Sequence, residues 1–176
     1  IGERMFNARA ETVAEKPSFR AAFRRRRCLV AVDGFYEWGP TERLAGARTE
    51  RGRKTRQAWY VYRADGSPLV LAGLWEQRMG LRTCSIITVP ANNDLVPLHH
   101  RMPAVLEPVD WDGWLDDGDC DRSDLESLLA PADDGTLARH TVHCRVNSAR
   151  NKGSELIEPV APVGMPVAAS DQGTLW

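Results

Sequence analysis

Residues 57–88 read QAWYVYRADGSPLVLAGLWEQRMGLRTCSIIT, and the fold turns on this stretch. Three runs rich in β-branched and aromatic residues, 57–63, 68–76 and 82–88, are separated by Asp65-Gly66 and Met79-Gly80, dipeptides that favour turns. The pattern predicts three strands in an antiparallel meander. Upstream, residues 28–32 are apolar and β-branched, Asp33-Gly34 is a turn signal and residues 35–38 are extended, which together predict a hairpin. Near the start, Pro17 and Ser18 open a short basic helix with Phe19, Ala22 and Phe23 as its apolar stripe. Downstream, Met102 must be extended because Pro103 follows it. Residues 110–115 and 123–129 read as short acidic helices, the second capped by Ser123, and a last strand covers about 137–146.

A chain of 176 residues buries a core without disulfides or metals, and one domain is expected. Its apolar runs are far too short to cross a bilayer, so no membrane partner is expected. Cys28, Cys84, Cys120 and Cys144 are widely separated, the pattern of unpaired cytosolic thiols. The first residue is Ile1 rather than Met, from which a missing opening segment is expected. The net charge of −1 hides an asymmetry: residues 1–63 hold 15 Lys or Arg against 7 Asp or Glu, whereas 64–176 hold 8 against 17. A basic segment inside a neutral chain can create a local anion-binding face. Residues 39–56, polar and rich in Arg, Lys and Gly, read as a long loop able to reach a phosphate backbone.

Asn7, Arg9 and Glu11 alternate with Ala8 and Ala10, so in an extended segment the polar groups share one face. Glu37 lies among Phe35, Tyr36 and Trp38, an apolar setting that suits a carboxyl for proton transfer; its alternative is a strand glutamate facing solvent. His99 and Arg101 share a face and His100 takes the other, which makes His99 the candidate proton shuttle beside a fixed guanidinium. The bland alternative is a structural histidine. His140 and His143, three apart on a strand, fall on opposite faces and make no metal pair; no cofactor is expected. The serine-hydrolase elbow and the phosphate loop of nucleotide hydrolases are absent from the sequence.

Asn7-Ala8-Arg9-Ala10-Glu11-Thr12, Arg27-Cys28-Leu29, Gly34-Phe35-Tyr36-Glu37-Trp38, Ala72-Gly73-Leu74-Trp75 and His99-x-Arg101-Met102-Pro103 resemble, in order, the motifs of the SOS-response-associated peptidase (SRAP) family. Val146-Asn147 followed by Gly153-Ser154-Glu155-Leu156-Ile157 resembles its ending. The resemblance implies an α+β fold with a mostly antiparallel, barrel-like sheet and short flanking helices, a domain over 1–160 lacking its N-terminal segment, and a tail over 161–176. It also implies a cytoplasmic protein, taken as a monomer, that binds single-stranded DNA and captures abasic sites. In the family an N-terminal cysteine, exposed by removal of the initiator methionine, condenses with the abasic aldehyde to a thiazolidine. By that resemblance the catalytic residues are Asn7, which orients the reacting terminus, Glu37, which moves protons, and His99, which assists sugar-ring opening. Arg9, Trp38 and Arg101 are the DNA-binding residues, Trp38 as a stacking surface. The chain departs from the family in lacking the opening cysteine, the early Gly-Arg pair, and the later Asn-x-Ala-Pro and Trp-Gly segments. Two other readings stand: a peptidase or hydrolase using Glu37 and His99, and a module that binds DNA without chemistry.

Overall fold

The computed structural model describes residues 5–39, 56–118 and 121–161. The loop expected over 39–56 and the tail expected from 161 lie almost wholly outside these. Eight strands occur: β1 (Asn7–Arg9), β2 (Arg27–Val32), β3 (Phe35–Gly39), β4 (Gln57–Arg63), β5 (Leu69–Arg78), β6 (Leu81–Pro90), β7 (Arg101–Pro103) and β8 (Leu137–Thr141). Four short helices accompany them: α1 (Ala10–Val13), α2 (Arg20–Arg25), α3 (Trp111–Leu115) and α4 (Arg122–Ser127). The chain divides into two compact units, Ile1–Phe35 with Val61–Ala138, and Tyr36–Tyr60 with Arg139–Trp176.

The first unit is organised by the β5–β6 hairpin. Met79 and Gly80 both take positive φ, +49° and +78°, and Arg78 pairs with Leu81. That is the two-residue turn whose twist matches paired strands. From Gly73 and Ile86 outward to this tip the two strands pair directly. On the other side of that point they part, and residues 101–106 enter between them. Met102 pairs with Val89, the Ala104 amide donates to Ile87 O at 2.9 Å, the Ala72 amide donates to Ala104 O at 2.9 Å, and Leu71 bridges Val105. Outside this wedge, β1 runs parallel to β6 on one edge and β2 antiparallel to β5 on the other.

Alternation along β6 assigns the two faces. Ser85, Ile87 and Val89 are fully buried, whereas Cys84 is exposed and Ile86 and Thr88 are half-buried. Through the register, Ala8, Arg27, Leu74 and Met102 share the buried face, against which Phe23 of α2 and Trp114 of α3 pack edge to face. The opposite face carries Asn7, Arg9, Cys28, Gly73, Trp75 and Arg101.

Gly73 stands where β5 leaves β6, with β2 at its other edge. A Cβ there would lie 2.9 Å from Cys28 Sγ and 3.0 Å from Val30 Cγ2. Gly73→Ala is therefore expected to cost about 1–3 kcal/mol through overpacking. The urea midpoint of unfolding measures this, and an unchanged midpoint would mean that Cys28 and Val30 move aside freely.

Two expectations need correction. No barrel is formed: among the described residues the five-stranded sheet, in the order β1-β6-β5-β2 with β7 on β6, is open, and β3-β4-β8 form a separate sheet. The five-stranded sheet is mixed: its β1–β6 pair is parallel and its other pairs are antiparallel. The predicted hairpin of β2 with β3 does not form either, because β2 takes β5 as its partner. Neither Asp33 nor Gly34 takes positive φ, so no tight hairpin joins β2 to β3, and β3 pairs with β4 instead. After β4, Asp65 Oδ1 accepts from the Ser67 amide at 2.9 Å and Pro68 offers no N–H, so the chain makes a wider turn before β5. The predicted meander thus reduces to one hairpin. Two smaller corrections follow: the extended reading of 7–11 ends at Arg9, where α1 begins, and α4 starts after Asp121 rather than at a Ser123 cap.

Candidate nucleic-acid interface

Strand β1 presents Asn7 and Arg9 outward and buries Ala8, which is 1 % exposed. Three register pairs with β6 hold so short a strand, helped by the Ser85 hydroxyl on Met5 O, the Ile86 amide on Phe6 O at 2.9 Å, and Thr88 Oγ1 on Ala8 O at 3.3 Å. Among the described residues, neither Asn7 nor Arg9 has a hydrogen-bonded side-chain partner. An amide and a guanidinium two residues apart on a strand can together meet a phosphate and a neighbouring polar group.

Glu11 follows in α1 and grips Arg101 in a bidentate pair: Nη1 donates to Oε1, and Nη2 to Oε2 at 3.0 Å. Nη2 also donates to the carbonyl of Thr88, and lies 3.3 Å from its hydroxyl. These hydrogen bonds from Arg101 hold the Glu11 carboxyl below its ordinary range, against partial burial that pushes the other way. The guanidinium expected to meet DNA is thus engaged inside the protein.

His99 is half-buried and His100 exposed, with ring centroids 4.5 Å apart. His99 Nδ1 is 3.2 Å from the Arg101 amide nitrogen and 3.1 Å from the Arg101 carbonyl oxygen. The amide can only donate and the carbonyl can only accept, so the two contacts belong to different tautomers of the ring. With the ring proton on Nε2, Nδ1 accepts from this amide, and Nε2–H is left to meet another acceptor; with it on Nδ1, the ring donates to the Arg101 carbonyl instead.

Glu37 and Trp38 belong to the second unit, on β3. The Trp38 amide donates to Glu37 Oε1 at 3.0 Å, and Trp38 Nε1 donates to Asn147 Oδ1 at 2.6 Å. Asn147 ends a 3-10 turn over Cys144–Asn147, within which the Arg145 amide donates to His143 Nδ1 at 3.1 Å. His140 Nε2 donates to Ile157 O at 2.7 Å. Each histidine of that pair is therefore occupied separately. Asn147 lies 109 residues from Trp38, and that spacing carries no sequence signal of the contact beyond the motif Val146-Asn147.

Burial pushes the Cys28 thiol up to about 11, with Cys84 adding to the effect, so Cys28 is a protonated thiol near neutral pH rather than a nucleophile. Among the described residues, the basic side chains of the first third are divided between the two faces of the sheet. Arg27 lies on the buried face and donates to the Phe23 and Arg24 carbonyls, which sets α2 with its exposed Arg20, Arg24 and Arg25 on the side away from Asn7 and Arg9. A cavity of about 520 Å³ opens there, lined by these three arginines and by Arg122, which is paired with Glu126 and Glu15.

Among the described residues no helix is long and apolar enough to cross a membrane. A sequence model described as SOS response associated peptidase (SRAP) matches residues 1–149. "Abasic site processing protein YoqW" of Bacillus subtilis is 37% identical over 163 residues, covering 90% of this chain and 68% of that protein. The Saccharomyces cerevisiae protein "Abasic site processing protein YMR114C" is 33% identical, covering 89% of this chain and 42% of its own length. Among solved structures, a Bacteroides thetaiotaomicron protein superposes with a TM-score of 0.73 at 27% identity, over 88% of this chain and 66% of that one. The chain thus spans about two thirds of the length of its bacterial relatives. On the family match and these identities, the chain belongs to the SOS response associated peptidase family.

Proposed function

We propose that this chain is the larger part of a protein that binds single-stranded DNA and captures abasic sites covalently. The observation that carries the reading is the paired outward display of Asn7 and Arg9 on a strand anchored by its neighbours. Relatives over most of this chain bear the name abasic site processing protein, which supports it. An abasic site offers no base edge, so it is known by its aldehyde, its phosphates and the stacking gap. Arg9 takes a flanking phosphate and Trp38 offers a ring to stack on. Asn7 orients the reacting amine.

The chemistry is that of an amino-terminal cysteine, as the family resemblance implies. Its amine adds to the C1′ aldehyde, the oxygen leaves as water, and the thiol closes the ring by adding to the same carbon. Glu37 and the Nε2–H of His99 supply the proton transfers, Glu37 also in removal of the initiator methionine. The internal cysteines cannot replace that residue, because their amines are in peptide bonds.

The test uses the full-length protein with its cysteine first. Incubated with an abasic oligonucleotide, it is expected to give a shifted band on a denaturing gel, and none with intact DNA or with borohydride-reduced abasic DNA. A band of equal strength on the reduced oligonucleotide, or no band at all, would overturn the reading.

A further inference from the structure

We propose that Asp94 is a positioning residue for His99: by fastening the loop between β6 and β7 to the turn over 132–137, it fixes the backbone from which the imidazole projects. What the imidazole then does rests on the function proposed above; the fastening does not.

Ten residues, 91–100, connect β6 to β7, and none of them belongs to a strand or a helix. Such a loop takes its shape from its own hydrogen bonds and from what ties it to the body. The Leu95 and Val96 amides donate to Asn92 O at 3.2 and 2.9 Å, and the Leu98 and His99 amides donate to Leu95 O at 2.8 and 3.0 Å. The backbone of His99 therefore hangs on the residue that follows Asp94. Downstream, its ring meets the Arg101 backbone, which β7 ties to β6. The upstream hold must come from elsewhere.

Leu95 and Leu98, 0 % and 8 % exposed, press the loop onto the core. Apolar burial has no preferred direction, so it sets the depth of the loop and not its angle. Hydrogen bonds supply the angle, and Asp94 gathers most of them. Its two carboxylate oxygens lie 3.0 and 2.9 Å from the Gly135 amide nitrogen, and Oδ2 also accepts from the Leu137 amide and from Asn92 Nδ2, each at 3.1 Å. Gly135 takes φ of +88°, a conformation in which a side chain would be strained. The clasp closes from the other side as well: Asn92 Nδ2 reaches Ala132 O at 3.1 Å, and the Asn93 amide donates to Asp134 Oδ1 at 2.9 Å. Asp134 is exposed whereas Asp94 is half-buried, so water competes less for the bonds of Asp94.

The full-length protein with its cysteine first is tested as Asp94→Ala, Asp94→Asn, Gly135→Ala, His99→Ala and the Asp94→Ala/His99→Ala double. Amide hydrogen exchange is the first readout. Asp94→Ala should speed exchange at His99 about tenfold or more and leave the slowest core amides unchanged; Gly135→Ala, which strains the turn from its far side, should act in the same direction. Single-turnover crosslinking to an abasic oligonucleotide is the second. Asp94→Ala should lower the rate at saturating DNA about tenfold, with the half-saturating concentration unchanged, because a misplaced proton donor costs chemistry and not binding. Asparagine with its oxygen in the Oδ2 position keeps the Gly135, Leu137 and Asn92 donors, so Asp94→Asn should stay within about twofold of the parent. In the His99→Ala background, Asp94→Ala should slow the step no further.

Unchanged exchange at His99 in both Asp94→Ala and Gly135→Ala would overturn the fastening. A further tenfold loss in the double variant would show that Asp94 does not act through His99, and equal slowing by alanine and asparagine would make its charge the cause; either result overturns the proposal. A His99→Ala protein that crosslinks at the parent rate would count against the proposed function instead, and the exchange readout would still decide the fastening.

Discussion

Replacing Arg27 by methionine is expected to destabilise the protein by on the order of 4 kcal/mol, because at least two buried carbonyls lose their donor at about 1–3 kcal/mol each. Arg27 is 7 % exposed. Its Nε donates to Trp114 O at 2.6 Å, Nη1 to Phe23 O at 2.7 Å and to Arg24 O at 2.5 Å, and Nη2 to Asp116 O. Two helices end on this one side chain. Phe23 and Arg24 are in the last turn of α2, and Trp114 and Asp116 lie at the end of α3, so the cation meets the negative ends of both short helices. The guanidinium also lies 5.9 Å from the Trp114 ring centroid. Methionine keeps much of the stem's volume and none of the donors. Lysine keeps the charge but offers one nitrogen where the site uses three, so Arg27→Lys should recover only part of the loss. In a thermal melt the methionine variant should fall by roughly 10 °C for a domain of this size. A urea midpoint shift worth less than about 1 kcal/mol would show that water satisfies those carbonyls instead.

Nothing in the sequence announced this role. Arg27 sits in a run of four arginines that composition reads as a basic surface, yet strand alternation turns only this one inward, where Leu74 is its partner across the ladder. Periodicity did show where the strands lie: β4 covers the predicted residues 57–63, and β5 and β6 run a residue or two beyond the predicted limits. Met79-Gly80 was legible because a two-residue turn needs positive φ at both positions, a local demand. Asp33-Gly34 carries the same kind of signal and does not make that turn. The difference is tertiary. β2 finds its partner in β5, forty residues on, and no local dipeptide records that choice.

The site divides along the same line. The exposed, buried, exposed alternation of Asn7, Ala8 and Arg9 is a property of consecutive residues and could be read directly. So could the nearness of His99 to Arg101, which closes through a side chain reaching its own backbone two residues on. The Glu11–Arg101 pair spans 90 residues and the Trp38–Asn147 contact 109. Those depend on the wedge of residues 101–106 between β5 and β6 in one case, and on the turn after β8 in the other. Both partners stand in quoted motifs, but the motif order says which residues matter and not which of them touch.

The largest functional effect is expected from Glu37→Gln in the full-length protein. At saturating abasic DNA, loss of a general acid–base should slow formation of the covalent adduct by about 10²–10⁴-fold. Glutamine keeps the shape of the side chain and one carbonyl oxygen, so the hydrogen bond that Glu37 Oε1 accepts from the Trp38 amide at 3.0 Å can persist. The strand and the Trp38 ring beside it should therefore stay in place, and the noncovalent affinity for DNA should change little. What glutamine cannot do is exchange a proton, which the condensation requires when water leaves and when the thiol closes the ring. Single-turnover crosslinking separates the two quantities, because adduct formation at saturating DNA reports chemistry and the concentration dependence reports binding. His99→Ala, which removes the Nε2–H donor, should slow the same step without altering the salt dependence of binding. A Glu37→Gln protein that crosslinks at the parent rate would remove Glu37 from the chemistry, and one that crosslinks normally but binds weakly would make it a DNA-contacting residue instead.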